Sequence, residues 1–158
     1  MRMTWLIFVF ITVAAWGSYG VLLHTGHLSM ADAAHGRYKA FFFVGTAYLL
    51  IAVIGSVVML VASGATWSFP AKGIAWSTIA GTAGAIGAFG VVLAFGAGGR
   101  PAVVMSIVFA GAPIVNAVIA TAVHPPAGGW SSLNWQFILG ILLAAGGGFL
   151  VTLYRPGT

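Results

Sequence analysis

The chain has no cysteine and a single acidic residue, Asp32, in 158 residues. The first absence removes disulfides, thiolate chemistry and cysteine-based metal sites. The second leaves no pair of carboxylates for general acid/base work. No Ser/His/Asp set or phosphate loop can be assembled either, so an enzyme is not expected, and neither is a cofactor. Charge of either sign is scarce: six Lys and Arg plus one acid make up 4% of the chain, against about 25% in a soluble domain. The basic residues, Arg2, Arg37, Lys39, Lys72, Arg100 and Arg155, are scattered rather than gathered into a stripe. Nucleic acid is therefore not an expected partner.

What is present is apolar. Hydrophobic residues make up 61% of the chain and glycine occupies 23 positions. Five runs, residues 4–23, 40–62, 73–96, 101–123 and 135–154, hold none of the seven charged residues. Each has roughly 20 residues, the length a helix needs to cross a hydrocarbon core of ~30 Å. The runs lack period-2 alternation and are too long for barrel strands, so the expectation is all-α: a polytopic membrane protein with five transmembrane helices in one membrane domain, 1–158. Arg2 followed by Trp5 to Ala15 also reads as a signal peptide, with Val13-Ala14-Ala15 as a cleavage site. The run continues unbroken to Leu23, which favours a retained helix.

Basic residues lie at the run ends, where they anchor helices at the headgroups. Arg2 and Lys72 fall on one side, Arg37, Lys39, Arg100 and Arg155 on the other. That bias predicts the N-terminus outside and the C-terminus inside, with dual insertion open as an alternative. Trp67, Trp130, Trp135 and Tyr154 fall near run ends and read as an aromatic belt. Short connections predict antiparallel neighbours, and Ala97-Gly98-Gly99-Arg100-Pro101 is the tightest. The first connection, His24 to Lys39, contains Asp32 and three of the four histidines. In it Ser29 and Asp32 have the spacing of a short capping box. His24, His27, His35 and His124 read as solvated, without metal-ligand spacing.

Small residues recur every four positions: Gly73, Ser77, Gly81 and Ala85, then Ala80, Gly84 and Ala88, and in the last run Gly140, Ala144 and Gly148. Such ridges let helices approach closely, either within one chain or between two. Polar groups inside the runs are costly and therefore informative. In the first run Thr12, Trp16 and Tyr19 share a face, with Ser18 nearby; the second offers Thr46, Tyr48 and Ser56. In the fourth, Pro113 frees the carbonyl of Phe109, and Asn116 lies on its face. Trp16, Tyr19, Pro113 and Asn116 are the candidate substrate-binding residues.

Several segments taken in order resemble one half of an EamA-type drug/metabolite transporter. Ala14-Ala15-Trp16-Gly17-Ser18-Tyr19-Gly20 is similar to the repeat's opening Trp-Gly signature, and Arg37 matches an arginine often placed before its second helix. Pro101 to Val123, with central Pro113, resembles the fourth helix, and Phe137-Ile138-Leu139-Gly140-Ile141-Leu142-Leu143-Ala144-Ala145-Gly146-Gly147 resembles the repeat's ending. The resemblance implies a five-helix repeat that the family uses twice, in opposite orientations. Where the family commonly has Gly-Glu at the end of the fourth helix, this chain has Ala120-Thr121-Ala122-Val123-His124. The intramembrane glutamate of the smaller multidrug members is also missing, so carboxylate-based proton coupling is not expected. The implied function is movement of a small polar or amphipathic metabolite across a bacterial plasma (inner) membrane. The working unit would be a homodimer, or a pair with a homologous five-helix partner. The alternative is a non-transporting subunit packed against a larger membrane complex.

Overall fold

The computed structural model describes residues 3–129 and 132–154. Among these residues the chain is all-helical, with five long helices: α1 (Trp5–Ser29), α2 (Gly36–Ala62), α3 (Ala71–Gly96), α4 (Pro101–Val123) and α5 (Trp135–Leu153). All five are long and apolar enough to cross a membrane, as the five runs require. Pro70 precedes α3 and Pro101 opens α4, where the missing N–H costs nothing. Gly98, at φ +88°, supplies the left-handed residue that the tight connection between them needs. Arg2, Trp130 and Arg155 lie outside the described residues.

The helix hydroxyls are turned inward on their own backbones. Thr12 donates to the Phe8 carbonyl at 2.9 Å, Ser18 to Ala14 at 2.9 Å and Thr46 to Phe42 at 3.2 Å. Thr78, Thr82, Ser106, Thr121 and Thr152 do the same four residues back. In a medium without water this satisfies each hydroxyl locally. It also withdraws Thr12, Ser18 and Thr46 as donors toward anything else.

Helix ends reach past the apolar runs, α2 beginning at Gly36 and α3 at Ala71 so that they take in basic residues, and two further departures from the hydropathy pattern stand out. First, α1 runs on past Leu23 to Ser29. The His24-Thr25-Gly26-His27 stretch lowers hydropathy without breaking the helix, and Thr25 and Ser29 donate to the carbonyls of Val21 and Thr25 at 2.9 and 2.8 Å. The Ser29 hydroxyl is thus spent backwards, and the expected capping box does not form. Instead Asp32 closes the turn that leads into α2, whose N-cap residue is His35. Its Oδ1 accepts the N–H of His35 at 2.9 Å and of Ala34 at 3.1 Å, while Oδ2 pairs with Lys39 Nζ at 2.7 Å. Ala31, just before it, sits at φ +50°, so Ala31→Gly is expected to raise stability by about 1 kcal/mol in thermal unfolding.

The Lys39 ammonium, then the His35 N–H, hold the Asp32 carboxyl down at about 2. Because this value is depressed, the contribution of these contacts is present above the ordinary 3.8 and is lost as pH falls through about 2. A carboxyl 13C titration should therefore give a midpoint near 2, moving up toward 3.8 in Lys39→Gln.

Second, α2 is not α-helical throughout. Leu49–Ile54 winds as a π-helix between α-helical Gly36–Tyr48 and Gly55–Ala62. Nothing in an unbroken apolar stretch announces this.

The helices fall into two compact units, Met1–Gly98 and Gly99–Thr158. In the first, α1, α2 and α3 pack mainly at one end, where Leu23, Ala40, Ala88, Val91, Val92 and Phe95 are buried. The start of α2 presses on the end of α1: a Cβ at Gly36 would stand 3.0 Å from the His27 carbonyl. Toward the other end, residues 71–87 of α3 are exposed throughout. In the second unit α4 and α5 pack closely where Gly148 meets Ala110. The α5 ridge makes this contact through Gly148, whereas Gly140 faces open space. Of the α3 ridge, Gly73, Gly81 and Gly84 have nothing within 4 Å of an added Cβ. The α3 ridge therefore packs within its own unit only at its end, where Ala88 is buried, and not along Gly73 to Gly84.

Candidate functional site

Trp16 and Tyr19 come together as their three-residue spacing requires, with ring centroids 6.1 Å apart. They form one wall of a groove of about 360 Å³ between α1 and α2. Val44, Ala47, Tyr48 and Ile51 form the other wall. The Tyr19 hydroxyl is buried and has no hydrogen-bond partner among the described residues. An unpartnered buried hydroxyl costs about 1–3 kcal/mol, so a ligand that pairs with it recovers that cost.

Tyr48 is the last residue before the π-helical turn, and Ile51 lies within it. A π turn rotates the residues that follow it relative to a continuous α-helix, and such turns are frequent at functional sites. Tyr48 was legible as a polar group of the second run, but its place opposite Trp16 depends on packing that the sequence does not display. With the Thr12, Ser18 and Thr46 hydroxyls engaged by their own helices, the groove offers aromatic faces and tyrosine hydroxyls, and its lining carries no charge.

Pro113 and Asn116 belong to the second unit, and both are exposed on α4. A groove of about 330 Å³ in that unit runs along Ile107, Ala110, Gly111 and Ile114 of α4 and Ala145, Gly148, Phe149 and Thr152 of α5. Neither Pro113 nor Asn116 lines it.

A second cluster lies at the closed end of the first unit, and it corrects the reading of two histidines as solvated loop residues. His24 and His27 are in α1 and half-buried. The His24 ring stands edge-on to Phe95 of α3 at 5.2 Å and 6.1 Å from His27. The Arg37 side chain lies across Gly96, where a Cβ would collide with it, and its guanidinium sits 4.8 Å from the Tyr38 ring centre. His24 Nδ1, His27 Nδ1 and Arg37 Nε are all buried without hydrogen-bond partners among the described residues. Among the described residues no group of three or more His, Cys, Asp or Glu is placed to hold a metal ion.

Together, the fold and composition define a polytopic α-helical membrane protein with five candidate spans. Compared with protein-family models, curated proteins and solved structures, the chain matches none of them.

Proposed function

We propose that the chain is one half of a permease for a small polar or amphipathic metabolite, completed by a second copy or by a homologous five-helix partner. The observation that carries this reading is the groove between α1 and α2: aromatic walls, an unpartnered Tyr19 hydroxyl, and a π-helical turn beside it. The resemblance to an EamA-type repeat supports the same reading. Transporter sites commonly lie near the midplane between repeats, and one repeat cannot enclose such a site alone. The exposed glycine ridge of α3 is a surface on which a second helix can approach closely.

The proposed setting is the bacterial plasma membrane that the family resemblance implies, and the distribution of Lys and Arg favours the N-terminus outside and the C-terminus inside. Its groove selects by aromatic contact and hydrogen bonding, since the lining carries no charge. Flux of candidate metabolites into proteoliposomes tests the proposal. Saturable uptake supports it, and no flux of any candidate by folded protein counts against it. Purification in mild detergent separates the rival role: a homodimer agrees with a permease, a stoichiometric complex with unrelated chains with a non-transporting subunit.

A further inference from the structure

We infer that the exposed face of α4 centred on Asn116 is where a second copy of the chain docks, side by side and in the same orientation. The inference deepens the proposed function, on whose second copy it rests, by naming the face that copy covers. Asn116 is the middle of an exposed stripe of Phe109, Pro113, Asn116, Ala120 and Val123. Steps of four, three, four and three are the heptad spacing with which one helix presents a continuous seam to another. The middle of this stripe turns away from α5. Ala110 meets Gly148, Ile114 lines the α4–α5 groove and Thr121 is buried. Asn116 lies about 200° around the helix from Ile114.

The amide sets this face apart from an ordinary lipid-facing surface. Asn116 is only one turn past Ala112, the centre of Pro101–Val123. That places it about 6 Å from the midpoint of a ~30 Å hydrocarbon core. The hydroxyls of Ser106 and Thr121, on the same helix, donate to carbonyls four residues back. The Asn116 amide makes no hydrogen bond among the described residues. A bare amide in hydrocarbon is costly, and hydrogen bonding across helices relieves that cost.

The same chemistry selects the occupant. A lipid chain offers no hydrogen bond, and headgroups lie well away from this depth. A primary amide carries both donor and acceptor, so two copies of Asn116 satisfy each other. A single Asn at one seam position also fixes register and the number of helices that associate. Ala112 and Ala120, one turn to either side, are small and exposed and let the two helices approach closely. The amides meet when the helices run in the same direction. Run in opposite directions with both spans centred, they would be staggered by about 12 Å. A parallel pair departs from the opposed repeats that the EamA-type resemblance implies, but it agrees with the Lys and Arg bias toward one orientation. Repeats related by an axis along the membrane normal also occur in transporters.

The absence of native cysteine makes the test direct. In membranes holding the full chain, oxidation of Ala120→Cys should give a disulfide-linked homodimer. Val118→Cys, exposed about 160° away around α4, should not. Adding Asn116→Leu to Ala120→Cys should lower the lipid dilution at which half the cross-link is lost by roughly three- to thirtyfold. Asn116→Gln should restore most of it. Absence of the Ala120→Cys cross-link, equal cross-linking at both positions, or an Asn116→Leu variant that resists dilution like the parent overturns the proposal. So does cross-linking of Ala120→Cys to an unrelated chain. Comparing Ala120→Cys with Val118→Cys needs no change at Asn116, so it decides even if Asn116→Leu misfolds. Flux keeps the two readings apart. Saturable flux without the Ala120→Cys cross-link overturns the α4 seam alone, whereas the cross-link without flux upholds the seam and counts against the permease.

Discussion

Gly148→Ala is expected to destabilise the α4–α5 pair by about 1–3 kcal/mol, the usual cost of forcing an added methyl into a close-packed contact. An added Cβ would run into the Ala110 Cβ and stand 3.3 Å from the Ser106 carbonyl oxygen. Neither atom can swing aside, because one is fixed to the backbone and the other belongs to it. The helices must separate, and with them goes the close contact that small residues provide in lipid. Alanine's better helix propensity returns up to about 1 kcal/mol, which does not cover the loss.

Gly84→Ala is the matched control. It faces open space within its unit, so there only the propensity gain should remain. Thermal unfolding of both variants in detergent, followed by circular dichroism, gives the comparison. If Gly84→Ala leaves the monomer intact but breaks a dimer, the α3 ridge is the seam between copies.

The second large effect concerns the groove. Trp16→Ala removes most of one aromatic wall, an area worth about 1.5–3 kcal/mol if a ligand covers it. Transport at low substrate concentration should then fall roughly ten- to a hundredfold. Tyr19→Phe keeps the ring and deletes the unpartnered hydroxyl. Losing one hydrogen bond to the substrate costs about 0.5–1.5 kcal/mol, or roughly two- to tenfold. Stability of the ligand-free protein should not fall and should rise by up to about 1–3 kcal/mol, since that buried hydroxyl has no partner among the described residues. This separates a binding role from a structural one. If Tyr19→Phe leaves flux unchanged, the hydroxyl is merely buried.

The five helices were legible because a bilayer imposes a length that a run of uncharged apolar residues reveals directly. Helix ends were less legible. The first run ends at Leu23 by hydropathy, yet a helix stops only when its backbone hydrogen bonds stop, and His24 to Ser29 keep theirs. Trp16 and Tyr19 could be paired from spacing alone, because residues three apart on a helix must share a face. Tyr48 could not be placed opposite them, since that depends on the packing of α1 against α2 and on the π turn. Pro113 and Asn116 were singled out for being polar or kinking in an apolar helix, and the groove of their own unit forms without them. His24 and His27 were misread for a related reason: residue type suggested solvent, whereas Phe95 and Arg37, distant in sequence, half-bury them.

The central claim is that the α1–α2 groove contacts the substrate of a permease. Its most direct test is metabolite flux into proteoliposomes carrying the parent protein or Trp16→Ala, at matched protein content. The account predicts saturable flux by the parent and a reduction of roughly tenfold or more in the variant. Equal flux through both would contradict the claim.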